Sequence, residues 1–197
     1  MSLILLRARR RREGAVLVSR RNRSGVGGRR REGRVTLKIL VAIDGSEYGQ
    51  RALEEVARIP WPAASEIRVI SAAEMPFFPS AEFGTLPRQY YEELEQATRD
   101  RARKVVEEAV GQLRKALSSP SEATNPLAVE GEFLFAPPRE AIVDEARRWG
   151  ADWIVLGSHG YRGYQRFLLG SVSQSVAAHA PCSVLIVRKP EETVAET

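Results

Sequence analysis

The sequence has little of what disulfide frameworks, metal centres and membrane spans need. Among 197 residues there is one cysteine, Cys182, and there are two histidines, His159 and His179. This excludes an internal disulfide and a cysteine-based metal cluster, and it disfavours a zinc site. The longest apolar runs, LKILVAI and SVLIV, are far below the roughly 18 residues that cross a membrane. LILL at the N-terminus is too short for a secretory h-region of about 7 residues or more, so a cytoplasmic protein is predicted.

Positive charge is concentrated at the N-terminus. Residues 1–36 hold 12 arginines against Glu13 and Glu32, whereas the rest of the chain has more acidic than basic residues. Residues 1–35 combine this charge with many glycines and little apolar periodicity, which predicts a disordered tail. The tail could bind nucleic acid or an acidic membrane by charge. Alternatively it is the translation of a mis-assigned start, with the real start near Val35.

The rest of the chain alternates between two kinds of segment. Continuous apolar runs predict buried strands, and segments with apolar residues at helical spacing predict amphipathic helices. The alternation predicts an α/β domain, in which an open parallel sheet carries helices on both faces. The domain covers residues 36–190, followed by a short acidic tail, 191–197. The strands are expected at 37–43, 66–73, 126–135, 152–157 and 182–188, the helices at 47–59, 88–118, 138–150 and 171–180, and a long loop at 74–87.

The candidate site follows from where ligands bind in such sheets, which is beyond the carboxyl ends of the strands. The segments there are DGS (44–46), SAA (71–73) and GSHGYRGYQRFLLGS (157–171). The last of these runs from a strand into a helix, whose N-terminal N–H groups favour an anion. Its glycines could let a phosphate approach the backbone, or they could serve only the turn. The sequence has neither a P-loop nor a GxGxxG fingerprint.

These segments resemble the universal stress protein family over residues 36–189. Members of its ATP-binding branch carry glycine, two residues, glycine, nine residues, then glycine followed by serine or threonine. This chain has Gly157, Gly160, Gly170 and Ser171 at that spacing. The resemblance implies a five-stranded parallel sheet of order 3-2-1-4-5, the fold of adenine-nucleotide alpha-hydrolases. This sequence departs from the family pattern at two positions. Ala136 or its neighbour stands where the family usually has glycine, and Ser183 stands where it usually has proline.

The resemblance also implies a site for ATP, with a bound magnesium whose ligands stay unassigned. Asp44 would contact the ribose and adenine end and lie beside Gly157. Backbone of Ala42 and Ile43 would face adenine, with Ser71 or Ala72 as the other wall. The ribose and phosphates would be lined by Gly157, Ser158, His159, Gly160, Gly170, Ser171, Val172 and Ser173.

Several of these residues also have ordinary structural explanations. Asp44 could cap the following helix, and Ser171 could cap the helix after the glycine loop. His159 is either a phosphate contact or a solvent-facing loop histidine, and Cys182 most simply packs as a small hydrophobe. The last strand, Ser183 to Arg188, is expected at the sheet edge, where it would pair with a second copy to form a homodimer.

Three functions are compatible with this pattern. The first is an ATP-binding, dimeric regulator of a stress response. The second is a slow ATPase or an adenylate-transferring enzyme, which is disfavoured because the sequence does not place a base, a nucleophile and an orienting group together. The third is an interaction module that needs no nucleotide. A role in nucleic-acid binding depends on the arginine-rich tail.

Overall fold

The computed structural model describes residues 4–7, 14–19, 29–31, 34–75, 87–118, 127–160 and 169–188. Nine strands and four helices lie in these ranges. The strands are β1 (Ile4–Arg7), β2 (Gly14–Ser19), β3 (Arg29–Arg31), β4 (Arg34–Thr36), β5 (Lys38–Ala42), β6 (Glu66–Ala73), β7 (Ala128–Phe135), β8 (Trp153–Gly157) and β9 (Ser183–Arg188). The helices are α1 (Glu47–Arg58), α2 (Arg88–Leu117), α3 (Pro138–Trp149) and α4 (Ser171–His179).

The five strands from β5 to β9 confirm the predicted sheet. They are parallel and neighbour one another in the order β7-β6-β5-β8-β9. When β5 is counted as the first strand, this is the predicted order 3-2-1-4-5. All five predicted strands and all four predicted helices are present, with ends that differ by at most two residues. Most of the predicted loop at 74–87 lies outside the described residues.

Helices cover both faces of this sheet, each above its own apolar core. On one face α1 and α2 pack over the first core, around Val41, Val69 and Leu113. On the other face α3 and α4 pack over the second core, around Leu40, Ile154 and Val176. Consecutive strand residues point to opposite faces, so unbroken apolar runs fill both cores at once. No helix in the described part of the chain combines the length and the apolar character that a bilayer crossing requires.

The N-terminal region differs from the predicted disorder, because it contains four strands. β1 and β2 pair with each other antiparallel, and β2 also pairs antiparallel with β9, while β3 and β4 form a separate ribbon. Average composition hides two short apolar runs, LILL and AVLV, each long enough for one strand. A hairpin alone is marginally stable, but the side of β9 provides it with a third strand. The last strand is therefore not the sheet edge in this structure.

A network of charges fastens β6, β7 and α3 together. Glu145 of α3 has a side chain only 2% exposed, and Arg68 of β6 and Arg148 both pair with it. Arg68 also contacts Glu130 of β7 and lies 4.6 Å from the centroid of the Trp149 ring. Burial by itself lowers the pKa of Arg68, but its hydrogen bonds to Glu130 and Glu145 reverse this and raise it. Arg68 therefore stays charged.

Cys182 lies just before β9 and packs in the second core, as predicted, with 9% of its surface exposed. Burial, with a smaller effect of Asp152, raises the pKa of its thiol from 9.0 to about 12. The unfolded chain therefore loses this proton near pH 9, whereas the folded chain keeps it. Above pH 9 the unfolded state binds fewer protons, so the free energy of unfolding falls as the pH rises towards 12.

We expect this loss to reach at most about 1.4 kcal/mol per pH unit, and to be absent in the Cys182→Ala variant. Urea unfolding of both proteins at pH 8 and at pH 10.5 measures it. Groups that titrate in both proteins, such as lysines and tyrosines, cancel in the comparison. Equal losses in the two proteins would contradict the prediction.

Candidate functional site

The strand order reverses between β5 and β8, where the chain forms a crevice at the carboxyl ends of the strands. Ala42 of β5 is paired with Leu156 of β8, so the two strands end side by side. Beyond them the chain continues through Asp44 on one side and Ser158 on the other. This is the position at which ligands bind in open α/β sheets.

A tight turn holds Asp44 at this crevice. Gly45 has a φ of 81°, which favours glycine, and the Ser46 N–H donates to Asp44 Oδ1 at 2.9 Å. The N-cap of α1 is Ser46, whose Oγ accepts from the Gly49 N–H at 3.2 Å. The alternative that Asp44 caps this helix is therefore wrong. Its carboxylate is exposed and holds the turn instead.

Gly160 lies directly against this carboxylate. A Cβ atom added at Gly160 would lie 2.6 Å from Asp44 Oδ2, which is closer than real contacts allow. The acidic residue and the glycine loop thus meet, as the family resemblance implies, although the glycine in contact is Gly160. Any larger residue at this position would displace the Asp44 side chain.

Gly157 has a different neighbour, the first turn of α1. A Cβ atom at Gly157 would lie 2.7 Å from the carbonyl carbon, the carbonyl oxygen and the Cβ of Tyr48. The φ of Gly157 is outside the left-handed region, so the requirement for glycine is one of space. The first glycine of the motif therefore allows α1 to pack on the end of β8.

The third glycine, Gly170, is the N-cap of α4 and returns the chain to β8. Its N–H donates to the Ser158 carbonyl at 2.8 Å, and a Cβ atom here would lie 3.1 Å from that oxygen. The prediction of Ser171 as N-cap is wrong, because α4 begins with Ser171 as its first helical residue. The cap provides no side-chain hydrogen bond to the helix, and Ser171 is exposed.

The two serines in the first turn of this helix, Ser171 and Ser173, differ in what they can offer a ligand. Ser173 is buried, and its hydroxyl donates to the carbonyls of Gly157 at 2.8 Å and Ser158 at 3.1 Å. A hydroxyl has one proton, so that of Ser173 is already used to tie α4 to β8. Val172 is half-buried and packs on the second core. Ser171 is the hydroxyl left exposed at the helix start.

His159 is held by neighbours on two sides. The Ser158 Oγ lies 3.1 Å from its Nδ1, and the ring of Tyr48 lies 5.3 Å away, tilted by 51°. Ser158 itself is 1% exposed. With Nδ1 occupied, Nε2 is the ring nitrogen that remains for another partner. Tyr48 was missed in the sequence, where no motif distinguishes it from any other aromatic residue in a first helical turn.

The residues predicted for the adenine end also lie at strand ends. Ala42 and Ile43 are buried, and the Ile43 N–H already donates to the Ile70 carbonyl at 2.9 Å. Ser71 is buried and Ala72 half-buried on the adjacent strand β6. These residues therefore lie at or just after the carboxyl ends of β5 and β6, while 161–168 lie outside the described residues.

Within the ranges that the structure describes, no three His, Cys, Asp or Glu side chains are grouped to hold a metal ion. A cavity of about 190 Å³ opens nearby between α1 and α2, lined in part by Gly45, Gln50 and Glu108. No residue of α4 lines it, so we do not assign the site to it.

The fold and this crevice define a doubly wound α/β protein with a glycine loop at its switch point. The model of the universal stress protein family matches residues 36–188. The chain therefore belongs to the universal stress protein family. It is 28% identical over 162 residues to universal stress protein Sll1388 of Synechocystis, covering 77% of this chain and 97% of that protein.

Solved structures of the family share the fold. A universal stress protein in complex with cAMP superposes with a TM-score of 0.52 at 23% identity, over 77% of this chain and 96% of that one. A family protein of Arabidopsis thaliana with AMP bound gives 0.51 at 15% identity, over 79% of this chain and 94% of that one. At these identities the likeness establishes the fold alone.

Proposed function

We propose that this chain binds an adenine nucleotide, ATP with Mg²⁺, and acts as a nucleotide-dependent regulator of a stress response. One observation carries the proposal: the N-terminus of α4, where Gly170 provides no capping side chain, is joined to the end of β8 through the Ser158 carbonyl, and Asp44 follows the neighbouring strand β5. The first favours a phosphate, and the second can accept hydrogen bonds from ribose hydroxyls. An adenine nucleotide carries both groups, since its phosphates are attached to the ribose.

The electrostatics of α4 support phosphate at this end of the crevice. The start of a helix carries a partial positive charge and N–H groups without intrahelical partners. Gly170 offers no side chain to cap them, and Ser171 adds an exposed hydroxyl beside them. His159, whose Nδ1 contacts the Ser158 hydroxyl, can donate a hydrogen bond to a phosphate from its Nε2. The roles of these residues toward nucleotide are our proposal.

Magnesium fits this site as a companion of the phosphates. Mg²⁺ keeps several waters and is commonly held by one or two carboxylates together with substrate phosphates. Asp44 could help to hold the ion only if its side chain turned away from the ribose, so the ligands of the ion stay unassigned. When bound, the ion would neutralise phosphate charge.

Relatives support an adenine nucleotide as the ligand class. The solved complexes named above contain cAMP and AMP, which share the adenine, the ribose and one phosphate. ATP in this chain is the finer part of the proposal. Comparing ATP, AMP and cAMP in one binding assay distinguishes these ligands.

The sharpest test changes Ser171. Ser171→Glu places an acidic residue in the first turn of α4, which helices favour, but opposes a phosphate there. We expect calorimetry with magnesium to show ATP bound at least about tenfold more weakly, which corresponds to about 1.4 kcal/mol. Unchanged ATP affinity would contradict the site.

Two controls separate charge from size and phosphate from adenosine. Ser171→Gln has nearly the same bulk without the charge, so it should lose much less affinity than Ser171→Glu. Adenosine, which lacks phosphate, should bind both variants equally. Valine at Gly160 and Gly170 is a poorer test, because Gly160 contacts Asp44 and Gly170 crowds the Ser158 carbonyl even without a ligand.

Two other functions remain open to measurement. Turnover of ATP by the purified protein would favour the slow ATPase or adenylate-transferring enzyme. Failure to bind any adenine nucleotide would favour a nucleotide-independent interaction module. A cytoplasmic location stays a prediction, as does nucleic-acid binding by the arginine-rich tail. The predicted homodimer through Ser183–Arg188 would require that β2 leave this strand.

A further inference from the structure

The outer side of β9 is already paired within this chain. Residues Gly14–Val18 of β2 lie opposite Val184–Arg188, in antiparallel register from Gly14 against Arg188 to Val18 against Val184. The pairing covers all of β9 except Ser183. Another strand therefore has almost no free backbone on which to add at this side of β9.

The hairpin of β1 and β2 is an addition to the family domain. The family model begins at residue 36, after both strands. Without the hairpin, β9 would end the sheet with an unpaired, apolar strand, VLIV, along its edge. Such an edge is a template for a strand from another chain, and two identical edges can pair about a twofold axis.

A tether gives the hairpin an advantage over a second copy. Residues 20–37 connect β2 to β5, and β2 and β5 are separated in the sheet only by β9 and β8. Adjacent strands lie about 4.8 Å apart, so a connection of this length spans the distance easily. A segment held on a short tether competes at an effective concentration in the millimolar range. A second copy at micromolar concentration is at a disadvantage.

The hairpin also ends the sheet. Its outer strand, β1, is only four residues long and closes with Arg7, and the sequence continues with Arg9, Arg10, Arg11 and Arg12. Short edge strands and positive charge are two means by which proteins prevent edge-to-edge association.

We propose that the β1–β2 hairpin is a built-in cap that competes with a second copy of this chain for the edge of β9. With the hairpin in place the chain is a monomer. Release of the hairpin exposes Val184–Arg188, which then pair with the same strand of another copy. This deepens the homodimer part of the proposed function by naming what regulates assembly, and it does not depend on nucleotide binding.

The test removes backbone donors from β2 in the full chain. Along a strand paired on both sides, consecutive N–H groups point to opposite neighbours, so Val16→Pro with Leu17→Pro must delete one bond to β9. We expect the wild type to sediment as a monomer at micromolar concentration and the double proline variant at about twice that mass. The matched control, Val16→Ile with Leu17→Val, keeps both N–H groups and should stay monomeric. A dimeric wild type, or a folded proline variant that stays monomeric, would overturn the proposal.

A second variant tests the pairing without weakening the hairpin. Leu17 and Leu185 lie directly opposite each other, so Leu17→Cys with Leu185→Cys, in a Cys182→Ala background, can be oxidised to a disulfide. A cross-linked product with the mass of one chain supports the cap. A covalent dimer would instead mean that the hairpin pairs with a second copy, and this would overturn it.

The outcome for assembly can be distinguished from the outcome for the ligand. ATP binding is measured on the wild type, the proline variant and the cross-linked protein. If none of them binds nucleotide but the proline variant dimerises, the proposed ligand fails and the cap stands. If all bind nucleotide and none changes its mass, the cap fails alone.

Discussion

Replacing Gly157 by alanine is expected to lower the free energy of unfolding by about 3 kcal/mol, the upper end of the cost of overpacking a core. The new Cβ atom would lie 2.7 Å from backbone atoms of Tyr48. Backbone cannot rotate away as a side-chain end can, so α1 must shift from the end of β8. Urea unfolding, followed by circular dichroism, measures the loss.

Gly111 is the matched control for this substitution. It lies inside α2, is exposed, and has no atom within 4 Å of an added Cβ. Alanine is favoured over glycine within helices, so Gly111→Ala should raise stability by about 1 kcal/mol. The two variants make the same chemical change with opposite expected signs. If Gly157→Ala were as stable as the wild type, the contact with α1 would not be what requires glycine there.

The second large effect is expected from Arg68→Ala. The substitution leaves the Glu145 carboxylate, whose side chain is 2% exposed, with Arg148 as its ion-pair partner among the described residues. Removing one member of a buried ion pair typically costs about 3–5 kcal/mol. Arg148 is itself 62% exposed, so we expect a loss of about 3 kcal/mol in the free energy of unfolding, measured by urea unfolding.

A double variant tests whether this loss comes from the uncompensated charge. Replacing both Arg68 and Glu145 by leucine removes the buried charge together with its partner, and such exchanges are often close to neutral. The double variant should therefore be more stable than Arg68→Ala. If the losses of Arg68→Leu and Glu145→Leu simply added, the two residues would not be coupled. The exposed carboxylates of Glu130 and Glu132 can be hydrated in every variant.

The sheet and its helices could be predicted from the sequence because their signals are local and repeated. LKILVAI and SVLIVR are unbroken apolar runs, and Ala52, Leu53 and Val56 recur at helical spacing. Pro138 begins α3 and Gly150, with a φ of 73°, ends it, as their positions indicate. The apolar patterns indicate which side chains must be buried, and the parallel sheet with its helices buries them.

Other features depend on contacts between distant segments, which a pattern along the chain does not contain. Tyr48 sits against His159 and Gly157 because α1 and β8 are neighbours in space. The hydroxyl of Ser173 looked like a phosphate donor, but the folded chain uses it on two carbonyls. β2 forms a strand next to β9 although its surroundings in sequence are charged and rich in glycine.

The chain that leaves the sheet after β8 returns to the Ser158 carbonyl oxygen, next to the end of that strand. The Gly170 N–H donates to the Ser158 carbonyl, and Ser173 bonds the same oxygen, so the stretch between them starts and finishes at one fixed point. Closure of such a stretch costs only about 0.6 kcal/mol for each doubling of its length. Insertions, deletions and substitutions between Gly160 and Leu169 should therefore change the free energy of unfolding of the domain only a little. The sequence between Gly160 and Leu169 can therefore diverge in length and composition while the sheet keeps its geometry.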